Sequence, residues 1–314
     1  PLPLAVPQLV VPDTRYAAAV AARHFYGNPS ARMRVIGVTG TNGKTTTANL
    51  IEAILSAAGK KTGLMGTIGV KIGGVREPAE RTTADAVTLQ RTLRRMADAG
   101  TEFCVMEASS HALHQERTLG IDFRTAVFTN LTLDHLDYHG TMERYAEAKG
   151  LLFARLGNAA EDRPEKKKFA VLNIDDPVHA RFKEWTAAET ITYGFGADAD
   201  VRAVSVRLSA RGTEIAAATF AGDVRLSVRL LGKFNVYNAL AAVAAALAEK
   251  IPLSAVKEAL ERVPGVEGRM EPVECGQPFP VLVDYAHTPD GLRSVLDTVN
   301  EFARGRVIVV FGCG

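Results

Sequence analysis

The amino-acid sequence predicts an α/β fold, with a central, mostly parallel sheet flanked by helices and an antiparallel β extension. In the first half of the chain, short apolar or β-branched runs alternate with helical patterns, which is typical of parallel sheets. Between residues 200 and 231, apolar and polar residues alternate with a period of two, which indicates antiparallel strands with one solvated face. A last β-α-β pattern after residue 268 predicts the start of a further α/β domain.

The predicted elements follow the chain in order. Helices carry apolar residues at every third or fourth position, and strands are short apolar runs. Helices are predicted at 14–26, 45–58, 236–249, 254–262 and 289–302. Strands are predicted at 34–39, 103–106, 126–129, 169–174, 204–208, 226–230, 279–284 and 306–311, with a turn at Arg211-Gly212.

The composition excludes several classes of protein. The 314 residues are 47% hydrophobic and 23% charged, which is an ordinary globular balance. Lys and Arg total 37 against 35 Asp and Glu, so the net charge is only +2. A charge this small gives no overall positive potential that would attract nucleic acid. The three cysteines lie far apart, which disfavours a disulfide framework and a Cys-rich zinc site. Since neither a membrane span nor a signal segment is recognisable, we expect a cytoplasmic protein.

A glycine-rich segment between the first strand and the next helix is the strongest functional signal. Glycines let the backbone fold tightly and direct N–H groups at a phosphate, and the helix N-terminus adds favourable partial charge. Lys44 would reach the β- and γ-phosphates, and the Thr45 hydroxyl could ligate Mg²⁺. The strict GxxxxGK[ST] pattern requires glycine where Val38 stands, so this is a variant of the P-loop type. The alternative is a strand-to-helix turn with an incidental lysine. The segment is Gly37-Val38-Thr39-Gly40-Thr41-Asn42-Gly43-Lys44-Thr45-Thr46-Thr47.

The motifs of a GTPase are incomplete. The guanine-reading pattern Asn-Lys-x-Asp is missing, because no lysine in the chain follows an asparagine. Residues 137–140 fit DxxG, but this short pattern is weak alone. A GTPase is therefore disfavoured.

Two side chains that follow predicted strands are candidate metal ligands. Glu107 ends one strand and His135 follows another, and ligands gather at the carboxyl ends of parallel strands. The two could converge on one Mg²⁺, for which oxygen ligands are preferred, or they could have capping or structural roles. His135 and His139 lie four residues apart, but the chain has no HExxH motif, so zinc is disfavoured.

Three further residues are ambiguous from composition alone. Lys149 lies in a helical pattern and would ordinarily be a surface lysine. Asp284 ends the late strand and suits a ligand site, whereas His287 fits either a helix cap or a functional role.

Taken together, these motifs resemble the Mur ligase family of ATP-dependent amide-bond ligases. Gly40-Thr41-Asn42-Gly43-Lys44-Thr45 resembles that family's variant phosphate loop. Within the family, three segments resemble the branch of UDP-N-acetylmuramoyl-tripeptide synthetases. They are residues 106–113, 129–140 and 284–290, and the resemblance covers nearly the whole chain.

The resemblance implies three domains, of which this chain would hold one completely. Residues 1–32 would be the remnant of an N-terminal uridine-nucleotide domain, and residues 33–265 the central ATP-binding domain. Residues 266–314 would begin a C-terminal, Rossmann-like, amino-acid-binding domain. The chain starts at Pro1 without a methionine and ends just after an apolar run, so we expect a fragment. An ATP-binding fragment without turnover is therefore one alternative.

The resemblance also implies an activity in peptidoglycan precursor synthesis. The enzyme would add a diamino acid to UDP-MurNAc-L-Ala-D-Glu through an acyl phosphate. The resemblance favours meso-diaminopimelate, and L-lysine is the alternative. It would use ATP, two Mg²⁺ ions and CO₂, the last as a carbamate on Lys149, and would be a cytoplasmic monomer that binds neither nucleic acid nor membranes. A folylpolyglutamate synthetase is the alternative ligase.

The resemblance assigns roles to matching residues, of which Lys44, Glu107, His135 and Lys149 would be catalytic. The nucleotide would contact Gly40, Thr41, Asn42, Gly43, Lys44, Thr45, Thr46, Asn235, Asn238, Arg269 and Asp284. Mg²⁺ would be ligated by Thr45, Glu107, His135 and carbamylated Lys149. The UDP-MurNAc-dipeptide would contact Thr82, Thr83, Ser109, Gln115 and Arg117. The chain departs from the family pattern at Ala84, where Pro or Gly is common.

Overall fold

The computed structural model describes residues 6–157, 167–209 and 212–312, and an eleven-stranded sheet runs through its centre. The strand order is 11-10-9-8-7-6-1-5-2-3-4, and strands 12 and 13 form a separate small sheet. The strands are β1 (Arg34–Thr39), β2 (Thr62–Gly66), β3 (Gly69–Ile72), β4 (Val75–Glu77), β5 (Phe103–Glu107), β6 (Phe123–Phe128), β7 (Phe169–Asn173), β8 (Glu189–Gly194), β9 (Val201–Ser209), β10 (Gly212–Thr219), β11 (Gly222–Val228), β12 (Glu271–Pro272) and β13 (Leu282–Val283).

The sheet is parallel in its middle and antiparallel at both edges. The sequence pattern predicts the antiparallel strands of one edge, at residues 200–231. Strand β1 pairs in parallel with β5 and β6, and the parallel pairing continues from β6 to β9 on one side and from β5 to β2 on the other. Strands β10 and β11 add antiparallel at one edge, and β3 and β4 at the other. Gly212 begins β10, while Arg211 of the predicted turn lies outside the described residues.

Ten α-helices cover the sheet within the described ranges. Most of the predicted helices form with ends shifted by one to three residues, which is the ordinary uncertainty of helix boundaries. The helices are α1 (Thr14–Phe25), α2 (Lys44–Ala57), α3 (Ala86–Asp98), α4 (Ser110–His114), α5 (Leu136–His139), α6 (Met142–Ala154), α7 (His179–Trp185), α8 (Lys233–Ala248), α9 (Leu253–Arg262) and α10 (Pro289–Phe302).

Two apolar clusters hold the layers together, one on each face of the sheet. Helices α2, α8 and α9 pack on one face, where α8 is buried on nearly all sides because its residues 239–248 are all alanine, leucine or valine. Helices α3, α6 and α7 contribute to the cluster that contains Cys104 and Met106. Since the two faces of a parallel sheet are both covered, its strands read as continuous apolar runs. Within the described ranges, the helices lack the combined length and apolarity that crossing a bilayer requires.

The open edge of β11 is partly covered by side chains of α9. The Lys257 ammonium donates to the Arg225 carbonyl at 2.7 Å, and the Ser227 amide donates to the Glu261 carboxylate at 3.0 Å. Helix α9 therefore takes the place of a neighbouring strand at two backbone positions.

The region after residue 268 differs from its prediction. The predicted strand 279–284 shortens to Leu282–Val283, which pairs antiparallel with Glu271–Pro272. The predicted strand 306–311 is wrong: this segment is irregular, and Val310 is 94% exposed. A β-strand requires a neighbour for its backbone hydrogen bonds, and the two sheets of the described residues place none beside it. Helix α10 forms as predicted.

Candidate active site

The phosphate loop, residues 40–43, connects β1 to α2, and its backbone needs glycine at both ends. Gly40 has φ +150° and Gly43 has φ +83°, where L side chains are strained. A Cβ at position 40 would overlap the Thr129 hydroxyl, and one at position 43 would overlap the Asn238 amide oxygen. Close approach of other groups, as well as backbone conformation, therefore selects these glycines.

The segment that follows β6 fixes the shape of the phosphate loop. The main-chain amide of Asn42 donates to Asn130 Oδ1 at 2.9 Å, and Thr129 Oγ1 donates to the main-chain carbonyl of Asn42 at 2.6 Å. The Thr41 amide donates to the Asn130 carbonyl at 2.8 Å. The sequence analysis included Thr129 and Asn130 in a family segment but did not predict that they support the phosphate loop. The sequence signal for this role is a pair of polar residues directly after a buried strand.

Lys44 folds back into the loop at the first turn of α2. Its Nζ donates to the carbonyl oxygens of Gly40 at 2.9 Å and Thr41 at 2.8 Å. Burial lowers the pKa of the Lys44 ammonium, although the charge of Glu107 opposes this shift. Thr45 and Thr46, which follow Lys44 in α2, are both buried.

Glu107, at the end of β5, is a buried carboxylate surrounded by hydroxyl and amide donors. Its Oε2 accepts hydrogen bonds from Thr45 Oγ1 at 3.0 Å and Thr67 Oγ1 at 3.2 Å. Its Oε1 accepts from the Thr67 amide at 2.8 Å, and only 2% of the residue is exposed. A carboxylate beside a hydroxyl of the phosphate loop's helix is an oxygen donor pair that suits Mg²⁺. The residues present therefore fit the predicted metal.

His135 lies in a cluster of aromatic rings rather than in a ready-made metal site. It has φ +53°, and its ring packs edge-on against His111 with centroids 4.9 Å apart. His139 is buried with Nε2 3.0 Å from Ser110 Oγ, and burial, with the charges of neighbouring histidines, lowers its pKa to about 4. In the described parts of the chain, no three His, Cys, Asp or Glu side chains gather as a metal site. Ligation by His135 thus stays a prediction.

Lys149 is buried, so the composition-based expectation of a surface lysine is wrong. It is 1% exposed because the face of α6 that carries it packs against the phosphate loop. Its Nζ donates to the Gly40 carbonyl at 2.7 Å and lies 4.4 Å from the centroid of the Tyr145 ring. Burial, with the repulsion of Lys44, lowers the pKa of the Lys149 ammonium well below its usual value. Two lysines thus share one carbonyl oxygen.

Asn235 and Asn238 approach the loop from α8. Asn238 Oδ1 accepts from Thr47 Oγ1 at 3.2 Å, and its Nδ2 donates to Asn235 Oδ1 at 2.8 Å. Asn235 in turn donates to the Leu231 carbonyl at 2.8 Å. The structure thus brings both predicted nucleotide residues to the N-terminal end of α2.

Arg269 reaches the same helix from the segment that begins after Gly268. Its Nη2 donates to Thr45 Oγ1 at 3.1 Å, and its guanidinium lies 4.8 Å from the centroid of the Tyr285 ring. Asp284 accepts from the main-chain amides of Met270 and Ala286, both at 2.8 Å. Asp284 therefore shapes the turn that carries Arg269.

The predicted substrate residues form one network beside Glu107. Thr83 Oγ1 donates to the Glu107 carbonyl at 2.8 Å and accepts from the Ser109 amide at 3.0 Å. The Thr82 and Thr67 hydroxyls are 3.0 Å apart, which connects this network to the Glu107 carboxylate. Thr67 lies between β2 and β3, and sequence reasoning missed both that hairpin and this contact.

The network continues to Arg117 and Gln115. Arg117 Nη1 donates to the Thr83 carbonyl at 2.9 Å, and its Nε donates to Gln115 Oε1 at 3.1 Å. Gln115 Nε2 donates to the Tyr138 hydroxyl at 3.0 Å. Burial, with the repulsion of Arg81, lowers the pKa of the Arg117 guanidinium. A guanidinium that is only partly buried and is held by these hydrogen bonds suits an anionic substrate group.

Relatives and solved structures cover nearly the whole chain. The chain is 54% identical over all 314 residues to a UDP-N-acetylmuramoyl-L-alanyl-D-glutamate–2,6-diaminopimelate ligase of Geobacillus thermodenitrificans, and 47% identical over 311 residues to one of Listeria monocytogenes. It spans 64% and 63% of those relatives, or 100% and 99% of its own length. A solved structure of a ligase with the same name covers 98% of this chain, which spans 62% of it, with a TM-score of 0.80 and 35% identity.

A Mycobacterium tuberculosis folylpolyglutamate synthase shares the fold. It covers 91% of this chain, which spans 70% of it, with a TM-score of 0.75 and 20% identity. The family model for the Mur ligase middle domain matches residues 38–246, and the model described as "Mur ligase, glutamate ligase domain" matches residues 268–314. Because the first match alone covers most of the chain and includes the phosphate loop and Glu107, the chain belongs to the Mur ligase family.

Proposed function

We propose that the natural protein that carries this sequence is an ATP-dependent ligase of peptidoglycan precursor synthesis. It adds meso-diaminopimelate to UDP-MurNAc-L-Ala-D-Glu. The observation that carries the proposal is the position of Glu107, whose carboxylate contacts Thr45 on the phosphate-loop side and Thr67 on the other. Thr67 in turn contacts Thr82 of the substrate network. A γ-phosphate and an acceptor carboxylate must meet at such a point, and the names of the relatives give the acceptor.

On the nucleotide side, the phosphate loop supplies backbone amides and Lys44. When ATP binds, Lys44 exchanges its bonds to the Gly40 and Thr41 carbonyls for phosphate oxygens. Asn235, Asn238, Arg269 and Asp284 complete this side. Arg269 adds positive charge beside Thr45, which offsets the charge that develops on the transferred phosphoryl group.

Thr45, Glu107 and His135 hold Mg²⁺ in this proposal, and carbamylated Lys149 holds a second ion. Mg²⁺, when bound, offsets the negative charge of the phosphates and the acceptor carboxylate. Carbamylation requires a neutral amine, and the burial that lowers the pKa of Lys149 supplies one. The neutral amine nitrogen bonds to the carbon of CO₂ and releases one proton, so that a neutral amine becomes an anionic oxygen ligand.

The substrate network orients the acceptor. Thr82, Thr83, Ser109, Gln115 and Arg117 hold the UDP-MurNAc-dipeptide so that its free carboxylate lies near Glu107 and Lys44. A carboxylate oxygen attacks the γ-phosphorus and ADP leaves, which gives an acyl phosphate. The amine of the diamino acid attacks the acyl carbon, phosphate leaves and the amine loses a proton. The cations of the site lower the repulsion between carboxylate and triphosphate.

The test is turnover of the natural protein with ATP, Mg²⁺ and UDP-MurNAc-L-Ala-D-Glu. We expect ADP and phosphate release that depends on meso-diaminopimelate and proceeds at least about tenfold more slowly with L-lysine. ADP release with a pteroate acceptor instead would favour the folylpolyglutamate synthetase alternative, for which the fold alone argues. Nucleotide binding without turnover on either acceptor would leave only an ATP-binding protein.

The remaining expectations belong to the same proposal. We propose a monomer that acts in the cytoplasm, with domain boundaries at residues 32 and 265. Light scattering of the natural protein measures the mass in solution, and a dimer mass would refute the first of these.

A further inference from the structure

Helix α6 contacts two consecutive residues of the phosphate loop, Gly40 and Thr41. Lys149 Nζ donates to the Gly40 carbonyl at 2.7 Å, and the Tyr145 hydroxyl lies 3.1 Å from Thr41 Oγ1. Tyr145 precedes Lys149 by four residues, so both side chains project from one face of the helix. The loop is thus attached to α6 by the amine of Lys149 and by the phenol of Tyr145.

The Tyr145 phenol can donate in its contact with Thr41. Thr41 Oγ1 accepts from the Thr132 amide at 3.0 Å and can donate its own proton to the Thr132 carbonyl at 3.3 Å. The phenol therefore has an acceptor available on Thr41. Burial raises the pKa of Tyr145, which keeps this proton in place at every physiological pH.

The Tyr145 ring is held by packing, so its hydroxyl is fixed as well. The residue is 1% exposed, and its ring lies against His139 with centroids 5.0 Å apart. The Lys149 amine lies 4.4 Å from the centroid of the same ring. A rotation of Tyr145 would displace both neighbours.

We propose that Tyr145 is a positioning residue that keeps the phosphate loop in register with α6 whatever the chemical state of Lys149. Its consequence for turnover rests on the proposed function. Carbamylation converts the Lys149 amine into an anionic carbamate that keeps a single N–H, and this alters the bond to the Gly40 carbonyl. The Tyr145 contact to Thr41 involves no ionised group and persists. The loop then stays in place for the nucleotide while Lys149 ligates metal.

The experiment compares Tyr145→Phe with Tyr193→Phe in the natural protein. Tyr193 is also buried, but its hydroxyl donates to the Phe128 carbonyl at 2.9 Å rather than to the loop. Calorimetry measures the Kd for ADP with Mg²⁺, and steady-state assays give KM and kcat. We expect Tyr145→Phe to raise the Kd and the KM for ATP about tenfold with kcat within about twofold, and Tyr193→Phe to leave all three within about twofold.

A double variant adds a readout that a merely structural role would not move. In a Lys149→Ala background Tyr145 is the one of these two α6 contacts to the loop that remains, so Tyr145→Phe should raise the Kd for ADP by clearly more than about tenfold. A Kd within about twofold of wild type for Tyr145→Phe, or an equal rise for Tyr193→Phe, would overturn the proposal. Absence of ligase turnover in the unmodified protein would reject the proposed function, whereas the ADP affinities would still decide the role of Tyr145.

Discussion

At the residue level, two lysines of different expected character approach one carbonyl oxygen. The glycine pattern predicted that Lys44 contacts phosphate, and in the structure its Nζ folds back from α2 onto the phosphate loop. Lys149 is an ordinary helix lysine by composition, and only the family resemblance assigned it a role. Its burial depends on contacts between α6 and a loop more than 100 residues away, and local sequence carries no signal of such contacts.

We predict that Lys149→Ala abolishes most ligase activity and that added acetate or bicarbonate restores part of it. The small anion would occupy the space of the missing carbamate and supply the lost oxygen ligand. Product formation by the natural protein, with and without these anions, measures the effect. Lys183→Ala, at an exposed position on α7, is the control and should behave as wild type. Full activity of Lys149→Ala without any rescue agent would contradict the prediction.

His139 gives the protein a pH dependence of stability. Its pKa falls to about 4 in the fold, below its usual value near 6.5, because burial disfavours the charged form. Between these two values the unfolded chain binds more protons than the folded one, so the free energy of unfolding falls as pH drops. We expect urea midpoints that decrease from pH 6.5 to 4, and a smaller decrease in His139→Gln. His24→Gln, which alters an exposed histidine of α1, should retain the wild-type change of urea midpoint with pH. If His139→Gln showed the same change as wild type, His139 would not be its source.

At the level of elements, the phosphate loop shows what a pattern can and cannot reveal. The pattern predicted a strand, a glycine turn and a helix, and β1 has the predicted bounds. It did not reveal that Thr129, Asn130 and Asn238 surround the turn, because these contacts join distant parts of the chain. Strands β2 to β4 were missed since they are short, with glycines at 63, 66 and 69 inside β2 and β3 and at 73 and 74 in the turn before β4, residues that weaken strand signals.

Replacement of loop glycines separates backbone strain from steric overlap. Gly43→Ala adds a Cβ that meets Asn238 and also strains a positive φ, whereas Gly59→Ala, with φ +76° after α2, meets no atom within 4 Å. We expect both variants to lose about 1 kcal/mol or more of stability. Only Gly43→Ala should weaken ADP binding, by at least about tenfold, in calorimetric titrations. If Gly59→Ala weakened binding equally, the overlap with Asn238 would not be the cause.

At the level of the whole molecule, the region after residue 268 joins the nucleotide site through few contacts. Arg269 donates to Thr45, and just before this region Glu267 pairs with Arg76 of the edge strand β4 at 2.9 Å on the surface. Gly265 and Gly268 between the two parts have positive φ values. The apolar run at 306–311 suggested a strand, yet a strand depends on a neighbour that no local pattern specifies.

We predict that this part of the molecule closes on the central domain when nucleotide and substrate bind. Arg269 and Asp284 follow Gly265 and Gly268, and in the proposed function both contact the nucleotide during turnover. Small-angle scattering of the natural protein should show a smaller radius of gyration with ATP analogue and UDP-MurNAc-dipeptide than without. Arg269→Ala should lose this change, while Arg293→Ala, on the later helix α10, should keep it. Identical profiles with and without ligands in wild type would count against closure.

The cover of β11 by α9 has a consequence for how copies of the protein meet. An open sheet edge is a template on which another chain can add a strand, and such addition leads to aggregation. Lys257 and Glu261 already occupy a carbonyl and an amide of that edge. An incoming strand would have to break both bonds before it gained any of its own. Helix α9 thus disfavours the addition of a strand from another copy to the β11 edge in the crowded cell.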